Sequence, residues 1–95
     1  MGEDGVVHLD AAVQSRAVLA NVERVLATVG LDRVDLVDAT AFLVDMDDFD
    51  AWNSAWADFF ADGVAPARTT VAVRALPDPH LLIEVKATAL RRAAG

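Results

Sequence analysis

The 95-residue chain predicts an α/β domain of the α+β kind, in which two helices cover one face of a small mixed sheet. Three observations carry that expectation. Apolar residues recur at spacings of three and four in segments 10–30 and 49–61, they alternate in segments 36–44, 68–76 and 81–90, and Gly or Pro punctuates the joints. A chain of this size has surface for one core and not two, so residues 1–95 read as a single domain.

In the first helical segment Val18, Val22, Val25, Leu26 and Val29 form the stripe, with Asp10 as N-cap and Gly30 as the stop. The stretch LVDATAFLV (36–44) alternates so that Val37, Ala39, Ala41 and Leu43 share the face a helix would cover. The second helix runs from about Phe49 to Ala61 on Phe49, Trp52, Trp56 and Phe59 or Phe60, with Gly63 following; these aromatics read as core. After APA come RTTVAVRAL (68–76) and LLIEVKATAL (81–90), joined by PDPH and expected to pair as an antiparallel hairpin. Arg68, Thr70 and Arg74 would then share the uncovered face with Glu84, Lys86 and Thr88. GVVHL (5–9) suggests a short leading strand.

Composition narrows the function. A net charge of −7 with scattered basic residues argues against a nucleic-acid or anionic-membrane partner, which would need Lys and Arg clustered on one face. An apolar content of 55% is high for so small a domain and reads as surface kept for other subunits. The absence of cysteine excludes disulfides, thiolate nucleophiles and Cys-ligated zinc. Without a leader, a lipidation signal or an apolar run of roughly 20 residues, the expected location is cytoplasmic.

The acidic stretch VDMDDFDAWN (44–53) reads as a helix start. Counted from Asp45, a calcium loop would need Gly at its sixth position and a carboxylate at its twelfth, where Asp50 and Trp56 stand. Asp47 or Asp48 instead precedes a helical stripe, where a short carboxylate caps backbone N–H groups. His8 and His80 lack partners at metal-ligand or triad spacing, and no phosphate-binding or nucleophile-elbow motif occurs. The hairpin would bring Arg68 and Glu84 close on one sheet face. That pair fits a surface salt bridge, and it also fits a guanidinium that grips a substrate carboxylate beside a carboxylate that handles a proton or a water. The residues alone leave both open.

Three phrases in order then matter together: FL-DMDDF---N at 42–53, PAR-TV at 66–71 and IEV-A-A at 83–89. With Gln14, Arg16, Leu19 and Asn21 on the first helix, they resemble the RidA/YjgF family, the reactive intermediate deaminases once labelled L-PSP endoribonucleases. The resemblance implies a fold of the chorismate-mutase type and a homotrimer with helices outside, sheets forming a central barrel and ligand pockets between neighbouring subunits. It implies hydrolytic deamination of 2-imino or enamine acids, with Arg68 holding the substrate carboxylate and Glu84 positioning or activating water. Asn53 and Thr70 fall on further pocket positions. No metal or cofactor is implied.

Full-length members of that family carry two additional strands before the segment that begins here at about Gly5. Three accounts follow: an intact assembly with a remodelled pocket, strands supplied by another identical or homologous chain, or a non-catalytic subunit that binds a small metabolite or serves assembly. Ribonuclease activity is disfavoured by the negative charge and the lack of a His pair suited to phosphodiester cleavage.

Overall fold

Residues 10–91 are described in a computed structural model of the chain. The elements are helix α1 (Ala11–Thr28), strand β1 (Leu36–Leu43), helix α2 (Phe49–Phe59), and strands β2 (Ala67–Ala72) and β3 (Ile83–Ala89), with 3-10 turns at Arg33–Asp35 and Met46–Asp48. The suggested strand at GVVHL and His8 lie outside the described residues.

Helix α1 begins where Asp10 Oδ1 accepts the Val13 N–H at 2.9 Å. It ends at Gly30, whose φ of +76° suits a residue without Cβ. There Gly30 N–H donates to Ala27 O and Leu31 N–H reaches back to Leu26 O, so the last carbonyls are satisfied in a Schellman closure. Leu19 and Leu26 enter the core with Val18 and Val22 packed against it. Val25 and Val29, expected on the same stripe, are 55% and 51% exposed. Val25 sits with Leu36, Ala87 and Ala89 along the outer side of β3, where the described sheet stops, and Val29 is the C-cap beyond the helix.

Ala39, Ala41 and Leu43 of β1 are buried as the alternation requires. Val37 is the exception at 43% exposure, because the register shifts between Leu36 and Asp38 and Leu36 takes the inward place. The start of α2 also differs from expectation. Asp48 is its N-cap but makes no side-chain cap bond; Asp45 caps the preceding 3-10 turn by accepting the Asp47 N–H. The acidic stretch thus acts as a helix entry, one turn earlier than its periodicity suggests.

The expected hairpin is not formed. The sheet order is β2-β1-β3, with β2 parallel and β3 antiparallel to β1, so β1 separates the two strands that were expected to pair. Burial decides the arrangement. Ala39, Ala41 and Leu43 make β1 the most buried strand and the natural centre, while β2 and β3 alternate between half-buried and exposed positions apart from the buried Ile83 at the start of β3. Both helices cover the face that carries those β1 residues, and Trp52, Ala55, Trp56 and Phe60 bring α2 into the core. Tilted aromatic contacts link Trp52 to Trp56 and Trp56 to Phe60, with centroids 5.5 and 4.6 Å apart. Arg33 ties the two helices by bonding Glu23 on α1 and the Phe59 carbonyl at the end of α2.

Candidate functional site

Arg68 lies opposite Ala39 in the β1/β2 register, and Ala39 points into the core, so Arg68 faces the helices. This corrects the expectation that it stands on the uncovered face. Its guanidinium lies over an aromatic platform, 5.1 Å from the Trp56 ring centroid, 5.6 Å from Phe49 and 5.9 Å from Trp52. The ring faces present negative potential to the cation. Nη2 donates to Asn53 Oδ1 at 2.8 Å, whereas Nη1 is buried with no hydrogen-bond partner. Desolvation lowers the Arg68 pKa from its ordinary value, yet an arginine keeps its charge throughout the neutral range.

Thr70, two residues along the same face, accepts a 3.1 Å hydrogen bond from the indole N–H of the fully buried Trp52. That bond fixes the tryptophan beneath Arg68. Arg68, Asn53 and Thr70 therefore meet between α2 and β2, as a positive charge with unused donors held by rings, an amide and a hydroxyl. Such a group is suited to a small carboxylate.

Glu84 is not part of that group. It lies opposite Phe42 in the β1/β3 register, on the sheet face away from the helices, and is exposed. Arg68 and Glu84 are two strands apart across the sheet and three residues apart along it, roughly 14 Å between backbones at ordinary strand spacings, with side chains on opposite faces. The surface salt bridge and the shared single-chain site both fall with the hairpin. Glu84 instead borders a groove of about 470 Å³ between α1 and β3, with Gln14, Asn21, His80 and Leu81.

Gln14 has a structural role that no motif announces. It is 8% exposed; its Nε2 donates to His80 O at 3.0 Å and its Oε1 accepts from Leu82 N at 2.8 Å, so it fixes the loop that delivers Glu84. The available signal was a polar amide one helical turn before Val18 on an otherwise apolar face. Trp52 and Trp56, core residues by their periodicity, also support Arg68. His80 contacts Asp78 at 3.3 Å and is exposed. Among the described residues no three His, Asp or Glu side chains are grouped to hold a metal ion, and no helix is long and apolar enough to cross a membrane.

A two-helix layer on a mixed sheet, with the PAR arginine packed against the second helix, defines a class that the comparisons make specific. The chain belongs to the RidA/YjgF family: the family model described as Endoribonuclease L-PSP matches residues 2–91. Among curated relatives, the 2-iminobutanoate/2-iminopropanoate deaminase of Escherichia coli is 39% identical over 90 residues, covering 93% of this chain and 70% of the relative. Among solved structures, the YjgF gene product of E. coli is 38% identical with a TM-score of 0.85, covering 93% of this chain and 70% of that one. A YjgF-family member from Neisseria meningitidis is 40% identical with a TM-score of 0.81, covering 88% of this chain and 70% of that one.

Proposed function

We propose that this protein hydrolyses 2-imino or enamine acids to 2-keto acids and ammonia. The observation that carries the reading is the Arg68 guanidinium, held by Asn53 over three aromatic rings with donors left over and Thr70 beside it. The naming of a 39% identical relative for imine deamination supports the same chemistry.

In this reading a substrate carboxylate takes parallel hydrogen bonds from the free N–H groups of Arg68, placing the adjacent imine carbon at a fixed distance from the protein. Water adds to that carbon, the C=N bond becomes C–N as the nitrogen takes a proton, and the resulting carbinolamine expels ammonia to leave the keto acid. Imines hydrolyse in water unaided, so orientation and charge stabilisation suffice, without metal or cofactor. Glu84 positions and activates the water.

Because Glu84 stands on the opposite face of the sheet, a complete site takes Arg68, Asn53 and Thr70 from one chain and Glu84 from a neighbouring one. A homotrimer in which the β2 side of one chain, where Arg68 lies, meets the uncovered sheet face of the next would satisfy that condition. It would also cover the exposed Val37 and Val71 on that face.

The test is loss of a 2-imino acid generated in place by an amino-acid oxidase, followed against a no-protein control. Wild type should accelerate the loss and Arg68→Ala should abolish the acceleration, with Arg68→Lys largely inactive because an ammonium cannot form the two-pronged contact. No acceleration by folded protein on short, branched or aromatic substrates would overturn the reading and favour a binding or assembly role.

A further inference from the structure

We infer that Trp52 is a positioning residue for carboxylate binding at Arg68, and that Thr70 acts on the ligand through it. The inference rests on the carboxylate-binding role proposed for Arg68. Two arginines of this chain lie over aromatic rings, and they differ in what completes them. Arg33, 4.3 Å from the Phe59 ring centroid, spends its donors on the Glu23 carboxylate and the Phe59 carbonyl, so its charge is paired within the fold. Arg68 gives one hydrogen bond, to the exposed Asn53, and among the described residues no carboxylate pairs with it. A long side chain tied at one point keeps much of its rotamer freedom. The orientation of Arg68 therefore depends on its aromatic walls, Phe49, Trp52 and Trp56.

Trp52 is the wall whose own orientation is fixed. It is fully buried, and a buried indole N–H needs an acceptor, which the Thr70 hydroxyl supplies at 3.1 Å. An indole has two side-chain torsions to settle, and a directional bond at one end of the ring selects among orientations that packing alone would accept. Trp56 leans on Trp52 with the ring planes 59° apart, and Phe60 leans on Trp56. Thr70 follows Arg68 by two residues on the same face of β2, about 7 Å along the strand. The strand that carries the guanidinium thus also carries the hydroxyl that sets the ring beneath it, so the ring stays in register with the arginine it supports.

A two-pronged contact with a carboxylate needs the guanidinium plane held in one direction. Without the Thr70 bond the indole turns, the plane spreads over several orientations, and the grip on the carboxylate weakens. The carboxylate does not react, so that grip is the same in the bound substrate and in the transition state. Its loss falls on KM and not on kcat.

Calorimetric affinity for 2-ketobutyrate, a member of the product class, tests the inference together with KM and kcat in the imine assay. Circular dichroism confirms that each variant is folded at the temperature used. Thr70→Val removes the acceptor, and Trp52→Phe keeps a ring without the N–H. Each should raise KM and the Kd of 2-ketobutyrate about tenfold while kcat stays within about twofold of wild type. The double variant should lose far less than the product of the two effects, because both changes remove one bond. Thr70→Ser should return values near wild type. A folded Thr70→Val protein with wild-type KM and Kd would overturn the inference. So would losses that multiply in the double variant, because Thr70 would then act on the ligand independently of Trp52. Weakened 2-ketobutyrate binding in the variants of a protein that hydrolyses no imine would sink the deaminase reading and leave the positioning role standing. Imine hydrolysis with the variants' KM unchanged would do the reverse, and a wild type that neither binds nor hydrolyses would overturn both.

Discussion

Gln14→Ala should unfasten the loop before β3 and lower stability by about 2 kcal/mol. Gln14 is nearly buried and makes two hydrogen bonds to backbone groups 66 and 68 residues away, His80 O at 3.0 Å and Leu82 N at 2.8 Å. Each such bond contributes about 0.5–1.5 kcal/mol net, and an orphaned partner adds desolvation cost unless water replaces the lost group. His80 is exposed and Leu82 half-buried, so water recovers part of that cost and the estimate stays near the sum of the two bonds. In a domain of this size about 2 kcal/mol lowers the melting temperature by roughly 8–16 °C. Gln14→Glu should cost about as much, because it keeps an acceptor for Leu82 but sets a carboxylate oxygen against the His80 carbonyl. Thermal unfolding by circular dichroism gives the stability, and hydrogen exchange at the Leu82 amide gives the location. A loss below about 0.5 kcal/mol with unchanged Leu82 exchange would refute the clamp.

Three further outcomes follow from the packing. Thr70→Val should cost about 1–3 kcal/mol by leaving the buried Trp52 indole N–H without its acceptor, whereas Thr70→Ser should recover most of it; denaturant titration followed by tryptophan fluorescence reads both. Leu43→Ala, at a site 1% exposed in the centre of the sheet, should cost about 2–5 kcal/mol in the same titration. Asp48→Asn should raise the melting temperature slightly at neutral pH. Desolvation first, then Asp45 and Asp47, raises the Asp48 pKa above 3.8. The folded state therefore binds that proton more tightly than the unfolded chain, and stability falls as pH rises through the interval above 3.8. Solvent screening holds the gain from Asn to a few tenths of a kcal/mol, and it should vanish below the ordinary aspartate range. A larger gain at low pH than at pH 7 would contradict that origin.

Helices and strands were legible because their signals are local. Asp10 and Gly30 bracket α1 as their chemistry predicts, and alternation located β1, β2 and β3 to within a few residues. Strand order was not legible, because alternation identifies which residues share a face and not which neighbour a strand chooses. Arg68 was correctly grouped with Thr70, yet the pair was assigned to the wrong face: a charged residue reads as solvent-facing until the rings that cover it are placed. Its neighbours explain the inversion, since Trp52 and Trp56 provide a surface a guanidinium can lie against and Asn53 satisfies one donor. Gln14 was hidden for a related reason: its partners are backbone groups, which have no sequence signature.

The central claim is that the deaminase site joins Arg68 of one chain to Glu84 of another, and complementation tests it most directly. Arg68→Ala and Glu84→Gln proteins, each inactive alone in the imine assay, are mixed, dissociated and reassembled. If the site is shared between chains, random mixing in equal amounts restores about a quarter of wild-type activity, because that fraction of sites receives both intact residues. If both residues act within one chain, reassembled mixtures will show no more activity than the sum of the separate variants, and a Glu84→Gln protein active by itself would equally contradict the claim.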